Sequence, residues 1–241
     1  MQKPDRAPWT TTALKTVDII ADTRAVQGHP VYPAAKQGDP DAALQLVSSV
    51  LDAGLLDRLQ EQYGESRPLL AGVHAIEGAG VNAIPPAMVA WLASRLGFEM
   101  ENSLVQINRV GHTKSSGWHR LAYQALFDGE VRAGRAYLLV DDFIGQGGTL
   151  ANFRGFIEAR GGRVVGALVL TGKRYSSILA LTDETLKALR IKHGNLEPWW
   201  REQFGFGFDA LTESEARYLI RAEDADTIRN RLVEAQQKGD A

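Results

Sequence analysis

The chain has 241 residues, of which 44% are hydrophobic and 23% charged, a balance that supports one generous core with extensions and excludes a disordered or fibrous protein. A formal net charge of -2 gives no overall positive field, so nucleic acid is not indicated as a partner and any such contact would be local. Cysteine is absent, which excludes disulfides, thiolate nucleophiles and cysteine-bound metals. No signal-peptide pattern opens the sequence and no apolar run approaches the ~20 residues of a membrane span, so the expectation is a cytoplasmic protein with no membrane partner.

Residues 1–15 are polar with early prolines and predict a loose arm. Thr16 to Ala21 predicts a short strand, and Gly28 to Pro33 a loop. Asp39, Pro40 and Asp41 then open a helix with a side-chain cap, a proline in the first turn and an acid at the positive helix end. Leu44, Leu46, Val47, Val50, Leu51 and Leu55 recur at helical spacing, so a helical N-terminal lobe should end near Gly64.

From Pro68 the pattern changes. Pro68 to Ile76 predicts a strand, Glu77 to Asn82 a loop, and the PPAMVAWLASRLG segment a helix begun by prolines and stopped by Gly97. Leu104 to Val110, Arg135 to Val140 and Arg163 to Leu170 predict further strands, with a helix from Thr149 to Arg160 between the last two. Short apolar strands alternating with helices predict an α/β fold with a mostly parallel central sheet flanked by helices. Thr182 or Asp183 caps a further helix, Thr212 to Glu215 forms a capping box, and Asp224 to Gln237 predicts a last helix. The expected division is a mostly helical lobe over 1–66, an α/β core over 67–174 and a helical extension over 175–241.

The stretch LLVDDFIGQGGTL, Leu138 to Leu150, carries the chemistry. An apolar strand ends in Asp141 and Asp142, and Gly145, Gln146, Gly147, Gly148 and Thr149 open the next helix. In an open parallel sheet, ligands bind beyond the carboxyl ends of the strands. Glycines allow the backbone to curl into an anion nest, the helix N-terminus adds positive potential, and Thr149 adds a hydroxyl. The two acids call for hydroxyl donors or a hard cation, while the nest calls for a phosphate. A sugar phosphate carries both ends in one molecule.

These residues resemble the 5-phosphoribosyl-1-diphosphate (PRPP) motif of type I phosphoribosyltransferases. The linker differs, since Gly145 and Gln146 stand where such a motif usually supplies a hydroxyl to the 5′-phosphate. The resemblance implies that the loop Glu77, Gly78, Ala79 and Gly80 binds pyrophosphate. It also implies that the polar connector Arg109 to Arg120 closes over the reacting centre with Lys114, His119 and Arg120, and that Lys173 contacts a base. It covers about Pro68 to Arg174. The implied activity is transfer of ribose 5-phosphate from PRPP to a nitrogen nucleophile such as a nucleobase, with Mg²⁺ bound mainly through PRPP and pyrophosphate. Members of that family are often dimers, so the resemblance leaves oligomeric state open with a homodimer as one option.

Other readings stand beside these. A PRPP-sensing regulator or partner-binding scaffold could keep the fold without the reaction. Lys173 could be a plain surface charge. Trp199, Trp200, Phe204, Phe206 and Phe208 could stack on a base, or pack the C-terminal segment on the sheet. His29, His74, His112, His119 and His193 show no zinc-protease spacing, so no protein-held metal site is expected.

Overall fold

The computed structural model describes residues 2–9, 13–77, 80–110 and 116–239. The N-terminal part contains β1 (Asp18–Ala21), α1 (Thr23–Gln27), α2 (Tyr32–Lys36), α3 (Pro40–Val50) and α4 (Ala53–Tyr63). Next come β2 (Leu69–Gly72), a small hairpin of β3 (Ile76–Glu77) and β4 (Gly80–Val81), α5 (Ile84–Leu96) and β5 (Met100–Glu101). After β6 (Val105–Gln106), α6 (Gly117–Ala122) and β7 (Phe127–Asp128), the long strands β8 (Ala136–Ile144) and β9 (Arg163–Gly172) flank α7 (Gly148–Ala159). The chain finishes with α8 (Asp183–His193), α9 (Glu197–Phe204), α10 (Glu213–Ile220) and α11 (Ala225–Gly239).

Five strands form one parallel sheet in the order β1-β9-β8-β2-β5. Its central strand is buried from Ala136 through Asp142, as a strand covered on both faces requires. Side chains alternate between those faces. Tyr137 and Leu139 meet Phe153, Phe156 and Ile157 of α7. Leu138 and Val140 meet Leu46 and Val47 of α3, Leu55 and Leu59 of α4, and Met88 and Leu92 of α5. The helices of residues 1–66 thus share their core with the sheet, and β1 extends its edge. A third cluster surrounds Trp200, with Phe204, Phe206 and Phe208 packed against residues of α6, α8, α10 and α11.

The topology has a switch point. From β2 the chain crosses by α5 to β5 on one side, and from β8 it crosses by α7 to β9 on the other, while β2 and β8 pair directly. The crevice beyond their carboxyl ends is the usual ligand position in such a sheet.

Some expectations are corrected. Over residues 2–9 and 13–15 the arm is tied down, with Trp9 and Leu14 buried and Arg6 in a buried ion pair, because it carries its own apolar and charged anchors. Within the predicted loop Gly28 to Pro33, Tyr32 and Pro33 already belong to α2, where Pro33 fits the first turn. The strand predicted over Leu104 to Val110 is replaced in the sheet by Met100–Glu101, while Val105–Gln106 pairs antiparallel with β7. Among the described residues, no helix is long and apolar enough to cross a membrane.

Candidate functional site

β8 does not stop before its acids. Pairing with β9 continues past Asp141 to Phe143 and Ile144, so both carboxylates project from ordered strand. Asp141 is 7% and Asp142 is 6% exposed. Asp141 accepts the Asp142 N–H at 2.8 Å, and Asp142 Oδ2 accepts Lys36 Nζ at 2.9 Å. Burial, reinforced by the neighbouring Asp142 charge, pushes the Asp141 carboxyl well above the usual carboxylate range. A buried acid displaced in this way at a switch-point crevice is a candidate functional carboxylate.

The turn after β8 aims α7 at the same crevice. Gly147 has φ 85°, a left-handed conformation natural to glycine, and as the N-cap it offers no side chain to the first N–H groups of α7. Gln146 adds a buried carboxamide oxygen without a hydrogen-bond partner, and turning the amide end for end would present its NH₂ instead. Thr149 is half-buried in the first turn of the helix.

The flanking segments grip this turn. Ser176 donates to Gly145 O at 2.6 Å, and Thr212 donates to Gln146 O at 2.6 Å. A Cβ at Gly145 would collide with the Arg120 guanidinium, and one at Gly148 would come within 2.6 Å of Glu215 Oε1 and 3.0 Å of Arg6 Nη2. The glycines therefore serve packing as well as any ligand, and the N-terminal arm and C-terminal helices are built directly onto the turn.

The other expected residues distribute as follows. Glu77 and Gly80 pair across the β3–β4 hairpin, beyond the carboxyl end of β2. Gly78, Ala79 and Lys114 lie outside the described residues. Arg120 on α6 covers Gly145, and burial lowers its guanidinium below its ordinary value, partly offset by Tyr175. The ring of His119 meets Val110 O at 2.9 Å and stacks on Tyr123 at 4.7 Å, contacts that brace α6. Lys173 follows β9 directly, is exposed, and stands 5.7 Å from the Tyr175 ring. Among the described residues, no group of three or more His, Cys, Asp or Glu could hold a metal.

Sequence reasoning missed Lys36, Arg6, Ser176, Thr212 and Glu215. Only Thr212 and Glu215 carried a local signal, their capping box, and it pointed to a helix start. Lys36 sits 106 positions from its aspartate partner, a separation with no periodic trace in a single sequence.

No family model matches the chain. It is 39% identical over 237 residues to protein TraN of Escherichia coli, covering 98% of this chain and 52% of that protein. It is 37% identical over 142 residues to an uncharacterized protein of Haemophilus influenzae, covering 58% of this chain and 32% of that one. The chain thus spans about half the length of the first relative and about a third of the second. Among solved structures it is similar to an adenine phosphoribosyltransferase (16% identity, TM-score 0.38, 57% of this chain and 74% of that one). It is also similar to a hypoxanthine phosphoribosyltransferase of Staphylococcus aureus (16% identity, TM-score 0.36, 58% and 68%). An orotate phosphoribosyltransferase of Mycobacterium tuberculosis in complex with inorganic phosphate gives 16% identity and a TM-score of 0.29, over 57% and 61%. Likenesses at this level carry no weight for the chemistry of this chain.

Proposed function

We propose that the chain is a phosphoribosyltransferase that binds PRPP and transfers ribose 5-phosphate to a nitrogen of a nucleobase or base-like acceptor. The observation that carries this reading is the pair of buried acids on β8, at the switch point, with four residues between Asp142 and the left-handed glycine that opens α7. The 2′ and 3′ hydroxyls of the ribose supply donors to Asp141 and Asp142, and the first N–H groups of α7 with Thr149 take the 5′-phosphate. Gln146, with its unpartnered buried carboxamide atom, substitutes for the hydroxyl that the linker lacks.

In the reaction, the acceptor nitrogen lone pair forms a bond to C1 of the ribose while the C1–O bond to diphosphate breaks and its electrons leave with pyrophosphate. Asp141 and Asp142 would face an Mg²⁺ ion carried in with the diphosphate, and that ion would supply neutralisation of the leaving group's charge. The chain's own work is positioning and electrostatics. The acids orient the ring, and Arg120 contributes positive charge beside Gly145.

Pyrophosphate release from PRPP and Mg²⁺ across a panel of nucleobases and base-like acceptors tests the reading. The expected result is release with at least one acceptor and its loss in the Asp141→Asn, Asp142→Asn double variant; turnover retained in that variant would overturn the assignment. A second reading, a PRPP sensor without turnover, is supported by the Lys36–Asp142 ion pair and by Arg6 and Glu215 packed against Gly148. Calorimetric binding of PRPP without release on the full panel would select it.

A further inference from the structure

The carbonyl oxygens of the turn before α7 are all taken up, and their partners show which way its peptide groups face. Ile144 O accepts from Lys173 N at 3.0 Å, Gly145 O from the Ser176 hydroxyl at 2.6 Å, Gln146 O from the Thr212 hydroxyl at 2.6 Å, and Gly147 O from Ala151 N at 3.0 Å. A trans peptide is planar and holds its N–H opposite its C=O. The Ser176 and Ser214 hydroxyls meet at 2.9 Å, so Ser176 and Thr212 stand together on one side of the turn. The N–H groups of Gln146 and Gly147 therefore point together, away from the C-terminal segment. Two successive N–H groups turned the same way, the second on a left-handed glycine, make a concave arrangement suited to an anion.

Both hydroxyls are committed to this turn. Ser176 is buried and Thr212 fully enclosed, and the single proton of each goes to a turn carbonyl. Ser214 then donates to Ser176, and Glu215 N donates to Thr212. Carbonyl oxygens rotated toward a phosphate would repel it, and Gly145 and Gly147 leave the backbone free to rotate unless something holds it. The linker between Ile144 and Gly147 has no hydroxyl of its own. Two hydroxyls act instead from behind it, on the peptide groups rather than on the ligand.

We infer that Ser176 and Thr212 are positioning residues of the phosphate site, fixing two peptide groups so that the N–H groups of Gln146 and Gly147 join those of α7 on the 5′-phosphate. This rests on the phosphoribosyl reading above and makes the C-terminal segment a working part of the ligand site. If the two bonds serve only to dock that segment, their loss lowers stability and leaves phosphate recognition unchanged.

NMR of the Gln146 and Gly147 amides during titration with ribose 5-phosphate and Mg²⁺, alongside calorimetry, separates these cases. In the unaltered protein both amide protons should move downfield at saturation. Ser176→Ala should weaken ribose 5-phosphate about fivefold to tenfold and shrink the Gln146 response. Thr212→Val should do the same for Gly147, and Thr212→Ser should restore both affinity and shift. Ser214→Ala removes a hydroxyl from the same buried pair but keeps the bond to Gly145, so its affinity should stay within about twofold of the parent. If Thr212→Val fails to fold because it also loses the cap of α10, Ser176→Ala carries the test, since Ser176 caps no helix. Unchanged affinity in Ser176→Ala, an equal loss in Ser214→Ala, or Gln146 and Gly147 amides that do not shift at saturation would overturn the inference and leave the phosphoribosyl reading standing. Binding of neither PRPP nor ribose 5-phosphate by the unaltered protein would overturn both.

Discussion

Arg6 and Glu215 lie 209 positions apart and meet in a bidentate ion pair, with Nη1 at 2.5 Å and Nη2 at 2.8 Å from the two carboxylate oxygens and both side chains almost fully buried. The pair closes a circuit. Arg6 also donates to Asn152 of α7 and to Gly148 O, while Glu215 accepts from its own N-cap, Thr212, which in turn donates to Gln146 O. The two ends of the chain are thus joined at the turn that opens α7. Removing one member leaves a buried charge without its partner, so Arg6→Ala or Glu215→Ala should each cost about 3–5 kcal/mol in urea unfolding. Replacing both by methionine should recover most of that loss. Single variants within about 0.5 kcal/mol of the parent would show that the pair is solvated.

Asp141 should weaken the fold at neutral pH. Its carboxyl is pushed up by burial and by Asp142, so the folded state favours the protonated form more than the unfolded chain does. The associated stability is complete below the ordinary carboxylate value of about 4 and is lost as pH rises through the elevated folded value. Asp141→Asn should then melt higher than the parent at pH 7, by roughly 2–4 °C for each kcal/mol recovered, with the gap narrowing toward pH 4. A lower melting temperature at pH 7 would contradict the shift. Coupled with loss of PRPP binding, a higher one would mark Asp141 as a residue kept for function against stability.

The parts of the fold legible in the sequence are those with local causes. The apolar run into β8, the glycine turn and α7 follow from residues within a dozen positions of one another. So does the capping box of Thr212 and Glu215, which forms as its spacing predicts. The edge strand Met100–Glu101 has only two residues and no periodicity to read, so the longer LVQINRV pattern drew the assignment to itself. In the candidate site, Asp141 and Asp142 announced themselves by being charged at the end of an apolar strand. Lys36 did not, because a lysine at the end of a short helix looks like any solvated cation until the chain returns with Asp142.

Acid should loosen the C-terminal helices through His193. This side chain at the end of α8 is fully enclosed, and burial, with the Lys192 charge, lowers its pKa; Asp224 and backbone contacts at Leu219 and Ala222 oppose the shift. A lowered histidine is held neutral by the fold, so its contribution is complete above the unfolded value of about 6.5 and is lost as pH falls through the lower folded value. The difference in unfolding free energy between the parent and His193→Gln should therefore shrink between pH 7 and 5. A pH-independent difference would show that the ring does not titrate in that range.

Gly147 tests whether the turn is set by its backbone. At φ 85° a non-glycine residue carries the left-handed penalty of about 1–2 kcal/mol, and a Cβ there would also collide with Leu179 Cδ1 and touch Thr212 Cγ2. Gly147→Ala should cost at least about 2 kcal/mol, with strain and overpacking acting together. The second variant Leu179→Ala separates them: if the clash dominates, Gly147→Ala costs less in that background than in the parent, and if the dihedral dominates, the cost is unchanged. A loss below about 0.5 kcal/mol in the parent would mean that the turn relaxes freely. Gly147 would then have no backbone claim to its position before α7, and the anion nest would have to be sought elsewhere on the crevice.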